Sequence, residues 1–285
     1  MGTAAIEATD LRKTYGNTAA LAGLTLRVDE GECMALVGPN GAGKTTFTEI
    51  CAGYRSADSG TVHVLGVNPG TAPRSWFTNI GIVLQAAHDL LDITVREAVS
   101  HFSSYYPSPR SIDEVIHSVG LTDKESARIG KLSGGQRRRL DVALGIIGRP
   151  QVLFLDEPTT GFDPEARREF WTLIEGLKRE GTTILLTTHY LDEAEHLADR
   201  VAVISRGRVL TCDTPSRIGG RENGYREVRW FQDNAEQQKR TDKPSAFIGE
   251  LSAQFGGEVP GLVVRQPSLE DAYLNLIAAD ERVAP

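Results

Sequence analysis

Short unbroken runs of hydrophobic residues mark the central strands of this chain. Residues 152–155 and 183–186 are two such runs, and continuous apolar stretches of this length are typical of strands buried on both faces of a parallel sheet. Residues 34–37 form a third compact run, which ends at Gly38. Between the first two runs, residues 164–179 have the spacing of a helix, so the chain contains a strand–helix–strand unit. These patterns predict an α/β fold.

The segments around the third run have different patterns. Residues 24–28 and 61–65 alternate between apolar and polar side chains, which predicts strands with one buried face. From residue 95 to about residue 147 the spacing of apolar residues is that of helices. Thr94 suits the N-cap of the first of these helices.

The composition of the chain changes after about residue 219. Residues 221–224 form a charged, turn-rich link, and shorter strand and helix signals follow it. Ser268 and Asp271 give the last predicted helix a start that resembles a capping box. We therefore predict a main domain over residues 1–218, a helical part within it at about residues 88–149, and a small accessory domain over residues 219–285.

Composition and charge narrow the classes of protein to which this chain can belong. The 285 residues are 40% hydrophobic and 24% charged, which is ordinary for a globular protein with a substantial core. Because 31 Lys and Arg face 38 Asp and Glu, the formal charge is −7, which argues against a general nucleic-acid binder. No apolar run approaches the length of a membrane span, and the N-terminus lacks a secretory pattern. We expect a cytoplasmic protein that is not itself embedded in a membrane.

A glycine-rich segment follows the apolar run at residues 34–37. It reads Gly38-Pro39-Asn40-Gly41-Ala42-Gly43-Lys44-Thr45 and matches the pattern of a phosphate-binding loop. Glycines let backbone N–H groups approach phosphate oxygens closely, and the helix that follows adds the positive end of its dipole. Lys44 would reach the β- and γ-phosphates of a nucleotide, and the Thr45 hydroxyl would bind Mg²⁺. The alternative is a chance match in a chain with 29 glycines.

Two adjacent carboxylates, Asp156 and Glu157, follow the apolar run at residues 152–155. Ligands of open parallel sheets bind at the carboxyl ends of the strands, where these side chains lie. Asp156 suits the shell of a Mg²⁺ ion, and Glu157 suits the polarisation of an attacking water. Taken alone, the pair could also be a solvated acidic turn; beside a phosphate-binding loop, the functional interpretation is favoured.

A second phosphate site is predicted at Leu132-Ser133-Gly134-Gly135-Gln136. This segment opens a helix and supplies a hydroxyl group and free backbone N–H groups, which together suit an anion. The glycine-rich loop already occupies the phosphates on its own side. Two phosphate sites in one chain indicate that two chains share each nucleotide.

Together these segments resemble the nucleotide-binding domain of ABC transporters over about residues 5–215. Residues 38–46 correspond to the Walker A loop of that family, residues 132–136 to its LSGGQ signature, and Asp156 with Glu157 to the end of its Walker B strand. Four further residues match single-residue motifs in the expected order: Tyr15 (the aromatic that stacks on adenine), Gln85 (the Q-loop), Asp163 (the D-loop) and His189 (the switch histidine).

The resemblance implies a P-loop NTPase fold with a RecA-like core and a mixed or parallel sheet. It adds an N-terminal antiparallel β subdomain, an α-helical signature subdomain and a small C-terminal α+β extension. It also implies hydrolysis of ATP with Mg²⁺, with Lys44, Glu157 and His189 as catalytic residues. The implied ATP contacts are Tyr15, Gly38, Pro39, Asn40, Gly41, Ala42, Gly43, Lys44, Thr45, Thr46, Gln85, Asp156 and His189, and the implied metal contacts are Thr45, Gln85 and Asp156.

The partners are implied by the same resemblance. Two chains would form a head-to-tail homodimer, with Asp163 at the contact between them. ATP would lie between the Walker A loop of one chain and four residues of the other, namely Ser133, Gly134, Gly135 and Gln136. Gln85 would lie beside the contact with a transmembrane permease subunit, and no nucleic-acid partner is expected.

Three local features qualify the resemblance. Phe162 stands where the family usually has Leu, and Ala86 and Ala87 follow Gln85 where many members have acidic or bulkier residues. Residues 137–139 are all Arg. We interpret this triplet as the solvated first turn of the helix after the signature, the alternative being a patch for phosphate or lipid.

Residues 267–274 and 191–200 resemble exporter-type ATPases, including those of the daunorubicin-resistance class. The sequence therefore predicts the ATPase subunit of an exporter. Two alternatives are an importer ATPase and a soluble family member that acts on ribosomes or DNA. The single cassette, the lack of a long insertion and the acidic charge argue against the soluble member.

Overall fold

A computed structural model of the chain describes residues 2–83, 92–223, 225–233 and 235–283. The chain divides into two compact units, Met1–Cys212 and Asp213–Pro285. The boundary between functional domains that we place between residues 218 and 219 remains a prediction.

The first unit is built on a six-stranded sheet. Its strands lie in the order β5, β6, β7, β3, β8, β9, and the pairs β5–β6, β6–β7, β7–β3 and β3–β8 are parallel. The bounds are β3 Cys33–Val37, β5 Ile80–Val83, β6 Val152–Asp156, β7 Thr183–Thr187, β8 Arg200–Ser205 and β9 Arg208–Asp213. Every residue of β3, β6 and β7 is buried, which confirms the prediction from the unbroken apolar runs.

A three-stranded antiparallel sheet adjoins this core. Its strands lie in the order β2, β1, β4, with bounds β1 Ala4–Tyr15, β2 Thr18–Asp29 and β4 Ser59–Val64. The inner residues of all three strands belong to one hydrophobic cluster that also contains Phe47 and Phe154. The two sheets are therefore packed around a shared core.

Six α-helices in the described part of the first unit connect or cover these strands. Their bounds are α1 Lys44–Cys51, α2 Val95–Ser103, α3 Ile112–Ser118, α4 Gly134–Ile146, α5 Pro164–Arg179 and α6 Leu191–Leu197. Helix α2 begins with the predicted cap: the Thr94 side chain accepts the Glu97 N–H, and the Glu97 carboxylate accepts the Thr94 N–H at 2.7 Å. The apolar faces of α2, α3 and α4 belong to a second core cluster together with Ile174 of α5.

The described residues of the second unit form a small sheet and two α-helices. The strands lie in the order β11, β10, β12, with bounds β10 Arg226–Gln232, β11 Ala235–Thr241 and β12 Val263–Arg265; the helices are α7 Pro244–Phe255 and α8 Leu269–Val283. The predicted capping box is present, because Ser268 Oγ accepts the Asp271 N–H at 3.1 Å. Within the described residues, every helix of either unit is too short or too polar to cross a lipid bilayer.

Candidate active site

The glycine-rich loop turns from the end of β3 into the start of α1. Gly41 and Gly43 have φ angles of 79° and 105°, values that favour glycine because it has no side chain to clash. A Cβ atom on Gly43 would lie 2.4 Å from the Ala20 carbonyl oxygen, and one on Gly38 would lie 2.2 Å from that of Ile204. The loop thus needs glycine both for its shape and for its contact with neighbouring strands.

Lys44, the first residue of α1, follows this loop and is 7% exposed. Its Nζ donates to the carbonyl oxygens of Gly38 at 2.7 Å and Pro39 at 3.2 Å. Burial lowers the pKa of Lys44, and the nearby carboxylates of Glu157 and Asp156 partly offset that shift. A positive charge held at the start of a helix, beside a glycine-rich loop, is well placed to bind phosphate.

An open cleft of about 530 Å³ lies over the loop. Besides the loop, its lining includes Tyr15, Thr18 and Glu157. The Tyr15 ring is 41% exposed, and two cations stand near it, with Lys13 Nζ at 5.7 Å and Arg55 Cζ at 5.6 Å from the ring centroid. An exposed aromatic ring at the edge of a cleft can stack on a nucleobase.

Asp156 is buried at the end of β6 and is held by two hydroxyl groups. Thr45 donates to Asp156 Oδ2 at 3.1 Å, and Thr187 donates to Oδ1. Thr187 comes from the neighbouring strand β7, where it lies opposite Asp156 in the parallel register. Hard oxygen donors of this kind fit Mg²⁺, which is usually held by one or two carboxylates together with phosphates and water.

The backbone of Glu157 leaves the strand in a left-handed conformation with φ of 48°, which costs about 1 kcal/mol for a residue with a side chain. Its N–H donates to the Thr187 carbonyl at 3.0 Å and to the Thr187 hydroxyl at 3.2 Å. The carboxylate lies 3.3 Å from Nδ1 of His189 and accepts a hydrogen bond from Thr160 at 3.4 Å. Glu157 and His189 are therefore brought together at the edge of the cleft.

The predicted second phosphate site is a capped helix start. Ser133 Oγ accepts the Gln136 N–H at 3.2 Å, and Gln136 Oε1 accepts the Ser133 N–H at 3.0 Å. Ser133 and Gly134 are exposed, and a Cβ on Gly134 would meet nothing within 4 Å. Among the described residues, none of the signature segment lines the cleft over the glycine-rich loop. The structure of one chain thus keeps the two predicted phosphate sites apart.

Asp163 and its neighbour Phe162 lie at the start of helix α5. Asp163 caps helix α5, because its carboxylate accepts the Ala166 N–H at 2.8 Å. The unusual Phe162 is buried and packs edge-on against Phe170, with 6.1 Å between ring centroids. Gln85 lies outside the described residues.

Our interpretation of the arginine triplet as solvated is wrong for its middle member. Arg138 is buried; its Nε donates to the Pro158 carbonyl at 3.2 Å, and its Nη2 donates to the Asp156 carbonyl. The run of three arginines suggested a solvated turn, but α4 is buried around much of its circumference and not along one face alone. Position 138 is one helical turn before Val142, which is also buried, and this spacing is the signal that could have identified it.

A buried acid four residues after His189 in the sequence was not predicted. Glu193 of α6 is fully buried, next to the side chains of Thr188, Thr159 and Trp171, with Arg167 nearby. Burial raises the pKa of Glu193, and these polar neighbours offset the shift only in part. The signal was its place one turn before Leu197, on the buried face of α6.

Comparisons with known proteins show the family and the fold of the chain. The ABC transporter family matches residues 21–160. A Nod factor export ATP-binding protein of Rhizobium sp. strain N33 is 37% identical over 97% of this chain and 98% of its own length. A solved ATP-binding subunit of an ABC transporter superposes with a TM-score of 0.72, at 22% identity over 95% of this chain and 99% of that one.

A second solved structure is closer in sequence. It is cbiO1 of Clostridium perfringens, part of the ABC transporter complex cbiONQ, with a TM-score of 0.66 and 29% identity over 76% of this chain and 90% of that one. The predicted P-loop NTPase fold is confirmed by these structures. This chain belongs to the ABC transporter family, as one of its ATP-binding subunits.

Proposed function

We propose that this chain binds and hydrolyses ATP and couples the reaction to export through a separate membrane-spanning subunit. One observation carries the proposal. Lys44, Thr45 and Glu157 line the cleft over the glycine-rich loop. Thr45 donates to Asp156 at 3.1 Å, and Nδ1 of His189 lies 3.3 Å from the Glu157 carboxylate. This is the set of groups that phosphoryl transfer to water requires.

The loop supplies binding and charge stabilisation. Backbone N–H groups at the start of α1 and the ammonium group of Lys44 would hold the β- and γ-phosphates, which lie where negative charge develops during the reaction. The two carbonyls that now accept from Lys44 keep its side chain directed into the loop. Tyr15 would stack on the adenine ring at the far side of the cleft.

Mg²⁺ is the cofactor that fits the oxygen donors beside the loop. We assign Thr45 and Asp156 to it, with Gln85 as a third contact implied by the family resemblance. When bound, the ion would neutralise charge on the phosphates during transfer. The Thr187 hydroxyl keeps one oxygen of Asp156 engaged and so orients the carboxylate.

Glu157 is the group that would activate water. Its carboxylate can accept a proton from a water positioned at the γ-phosphate, which makes the water a better nucleophile. His189, 3.3 Å from that carboxylate, would donate a hydrogen bond to the γ-phosphate and keep Glu157 oriented toward the water.

The second half of the nucleotide site would come from another copy of the chain. Ser133, Gly134, Gly135 and Gln136 present a capped helix start and, among the described residues, do not line the cleft over the loop of their own chain, so we place them on the nucleotide of a head-to-tail partner. Asp163 would lie in the same contact. Closure around ATP would move the membrane-spanning partner, and hydrolysis would allow reopening.

Export is favoured over import. The exporter-like segments at residues 191–200 and 267–274 support it, and the similar proteins of Rhizobium strains are named as Nod factor export ATP-binding proteins. We place the chain on the cytoplasmic face of the membrane, attached through its partner subunit. The transported molecule would be selected by that subunit.

Removal of the metal tests this assignment. With ATP and excess Mg²⁺ the purified chain is expected to release phosphate, and excess EDTA should lower the rate at least about 100-fold, since the ion provides several kcal/mol of charge stabilisation. Binding of a fluorescent ATP analogue, measured by anisotropy, should remain detectable in EDTA.

The variant Asp156→Asn, assayed with Mg²⁺ present, should reproduce the effect of EDTA, because it removes the proposed metal carboxylate. A chain that releases no phosphate under any condition would contradict the proposed function. Turnover that is unchanged in EDTA would contradict the magnesium site alone.

A further inference from the structure

The backbone around Glu157 is held from two sides. On one side, the carbonyl and hydroxyl of Thr187 accept the Glu157 N–H. On the other side, the guanidinium group of Arg138 donates to the carbonyls of Asp156 and Pro158, which directly precede and follow Glu157. A left-handed residue persists only where its surroundings fix it, and these contacts fix Glu157.

The geometry of this contact uses the shape of arginine. A guanidinium group is a planar fork with several fixed N–H donors, so one side chain can donate to two carbonyls at once. A lysine ammonium group at the end of a flexible chain would not hold the two carbonyls in a fixed relation. The contact therefore depends on the planar shape of the guanidinium group as well as on its charge.

Arg138 belongs to the helix that begins at the signature. Helix α4 starts directly after Ser133, and Arg138 lies in its second turn. A buried charge is costly unless it is hydrogen-bonded or paired, and Arg138 donates to both carbonyls and forms an ion pair with Asp141 of its own helix at 4.0 Å. Arg138 thus links the second turn of α4 to the backbone on either side of Glu157, and a shift of the start of α4 would move that backbone.

We propose that Arg138 is a positioning residue that ties the orientation of Glu157 to the signature helix of the same chain. This inference rests on the proposed function, in which the signature contacts one nucleotide of the dimer and Glu157 acts on the other. Arg138 then connects the two ATP sites within one chain. Binding of one ATP at the signature would help to orient Glu157 for hydrolysis of the second ATP.

The test compares Arg138→Met with Arg137→Met, the same substitution one residue earlier on α4. We expect Arg138→Met to lower kcat by about 10- to 100-fold, the size of effect that a small misplacement of a catalytic group produces. Its KM for ATP should stay near the wild-type value, since no ATP contact is removed. The Hill coefficient for ATP should fall to one, while Arg137→Met keeps both kcat and cooperativity. Arg138→Lys keeps the charge and the length of the stem, and its kcat should also fall.

The outcomes separate the inference from the function on which it rests. Equal kcat and Hill coefficients in the two methionine variants, beside an active wild type, would overturn the inference alone. A fall in kcat with unchanged cooperativity would support positioning and overturn the connection between sites. If Arg138→Met fails to fold, Arg138→Lys is the variant that tests the inference. Wild-type turnover in Arg138→Lys would overturn the role of the guanidinium group. A wild-type chain that binds ATP without hydrolysing it would overturn both proposals.

Discussion

Glu157→Gln is expected to lower ATP turnover by about 10³-fold, which lies within the range that a positioned general base contributes. An amide at this position keeps the size of the side chain but cannot accept a proton from water. ATP binding should remain near wild type, because Lys44 and the glycine-rich loop make the phosphate contacts. The variant should therefore accumulate in the ATP-bound state.

The measurement pairs phosphate release with nucleotide affinity in the same preparation. Glu7→Gln is the matched control, because Glu7 is an exposed acid on β1, and it should leave both quantities unchanged. Turnover of Glu157→Gln within a few-fold of wild type would show that another group activates the water. A loss of ATP binding in this variant would show that the side chain contacts the nucleotide directly.

Lys44→Ala is expected to lower the affinity for ATP at least about 100-fold, since a hydrogen bond to a charged group contributes about 1.5–3 kcal/mol and Lys44 would make more than one such contact to the phosphates. The loop should keep its backbone path, because the glycine conformations and the close contacts with Ala20 and Ile204 remain. Hydrolysis should be lost together with binding.

Titration calorimetry measures this affinity, and thermal unfolding in the presence of ATP checks it independently, because bound ligand raises the unfolding midpoint. Lys124→Ala, at an exposed position on the surface, is the control. An affinity of Lys44→Ala equal to that of Lys124→Ala would contradict the assignment of the loop as the phosphate site.

The central sheet could be predicted from the sequence because its strands are buried on both faces. Burial of every residue in β6 and β7 requires unbroken apolar runs, and such runs are visible without a structure. Residues 24–28 were predicted as a strand, but β2 continues over 12 residues, and β1, also 12 residues long, was not identified; the two strands pair with irregular register. Bulges interrupt the alternation from which strand bounds are read.

Strand β11 was missed because almost nothing in its sequence is apolar. It reads Ala-Glu-Gln-Gln-Lys-Arg-Thr, lies at the edge of its sheet and is exposed along nearly its whole length. An edge strand with no buried face has no hydrophobic pattern in its own sequence. Strand β11 forms because its backbone pairs with β10, which directly precedes it. Polar edge strands of this kind are hidden from periodicity arguments.

Parts of the site that are contiguous in sequence were predicted, and parts assembled across the fold were not. The loop at residues 38–46 carries its own geometry in its glycines, so its conformation follows from its composition. Thr187 meets Asp156 only because β6 and β7 pair in parallel with these residues in register. Arg138 meets the Glu157 backbone only because α4 packs behind the end of β6. Neither contact has a signature in the local sequence.

In the proposed dimer, two copies of the chain share each ATP. The direct test mixes two single-cysteine variants, Asn40→Cys and Ser133→Cys, both in the Glu157→Gln background so that ATP persists. In a head-to-tail dimer the glycine-rich loop of one chain faces the signature of the other, so the new thiols meet only in mixed dimers. Each variant alone is the control, since both share the native Cys33, Cys51 and Cys212.

The readout is the amount of disulfide-linked dimer on a non-reducing gel after mild oxidation. We expect the mixture to form linked dimer with ATP and Mg²⁺ and little with ADP, and neither variant alone to form it. No linked dimer from the mixture in either nucleotide state, or equal amounts from the single variants, would contradict the shared site.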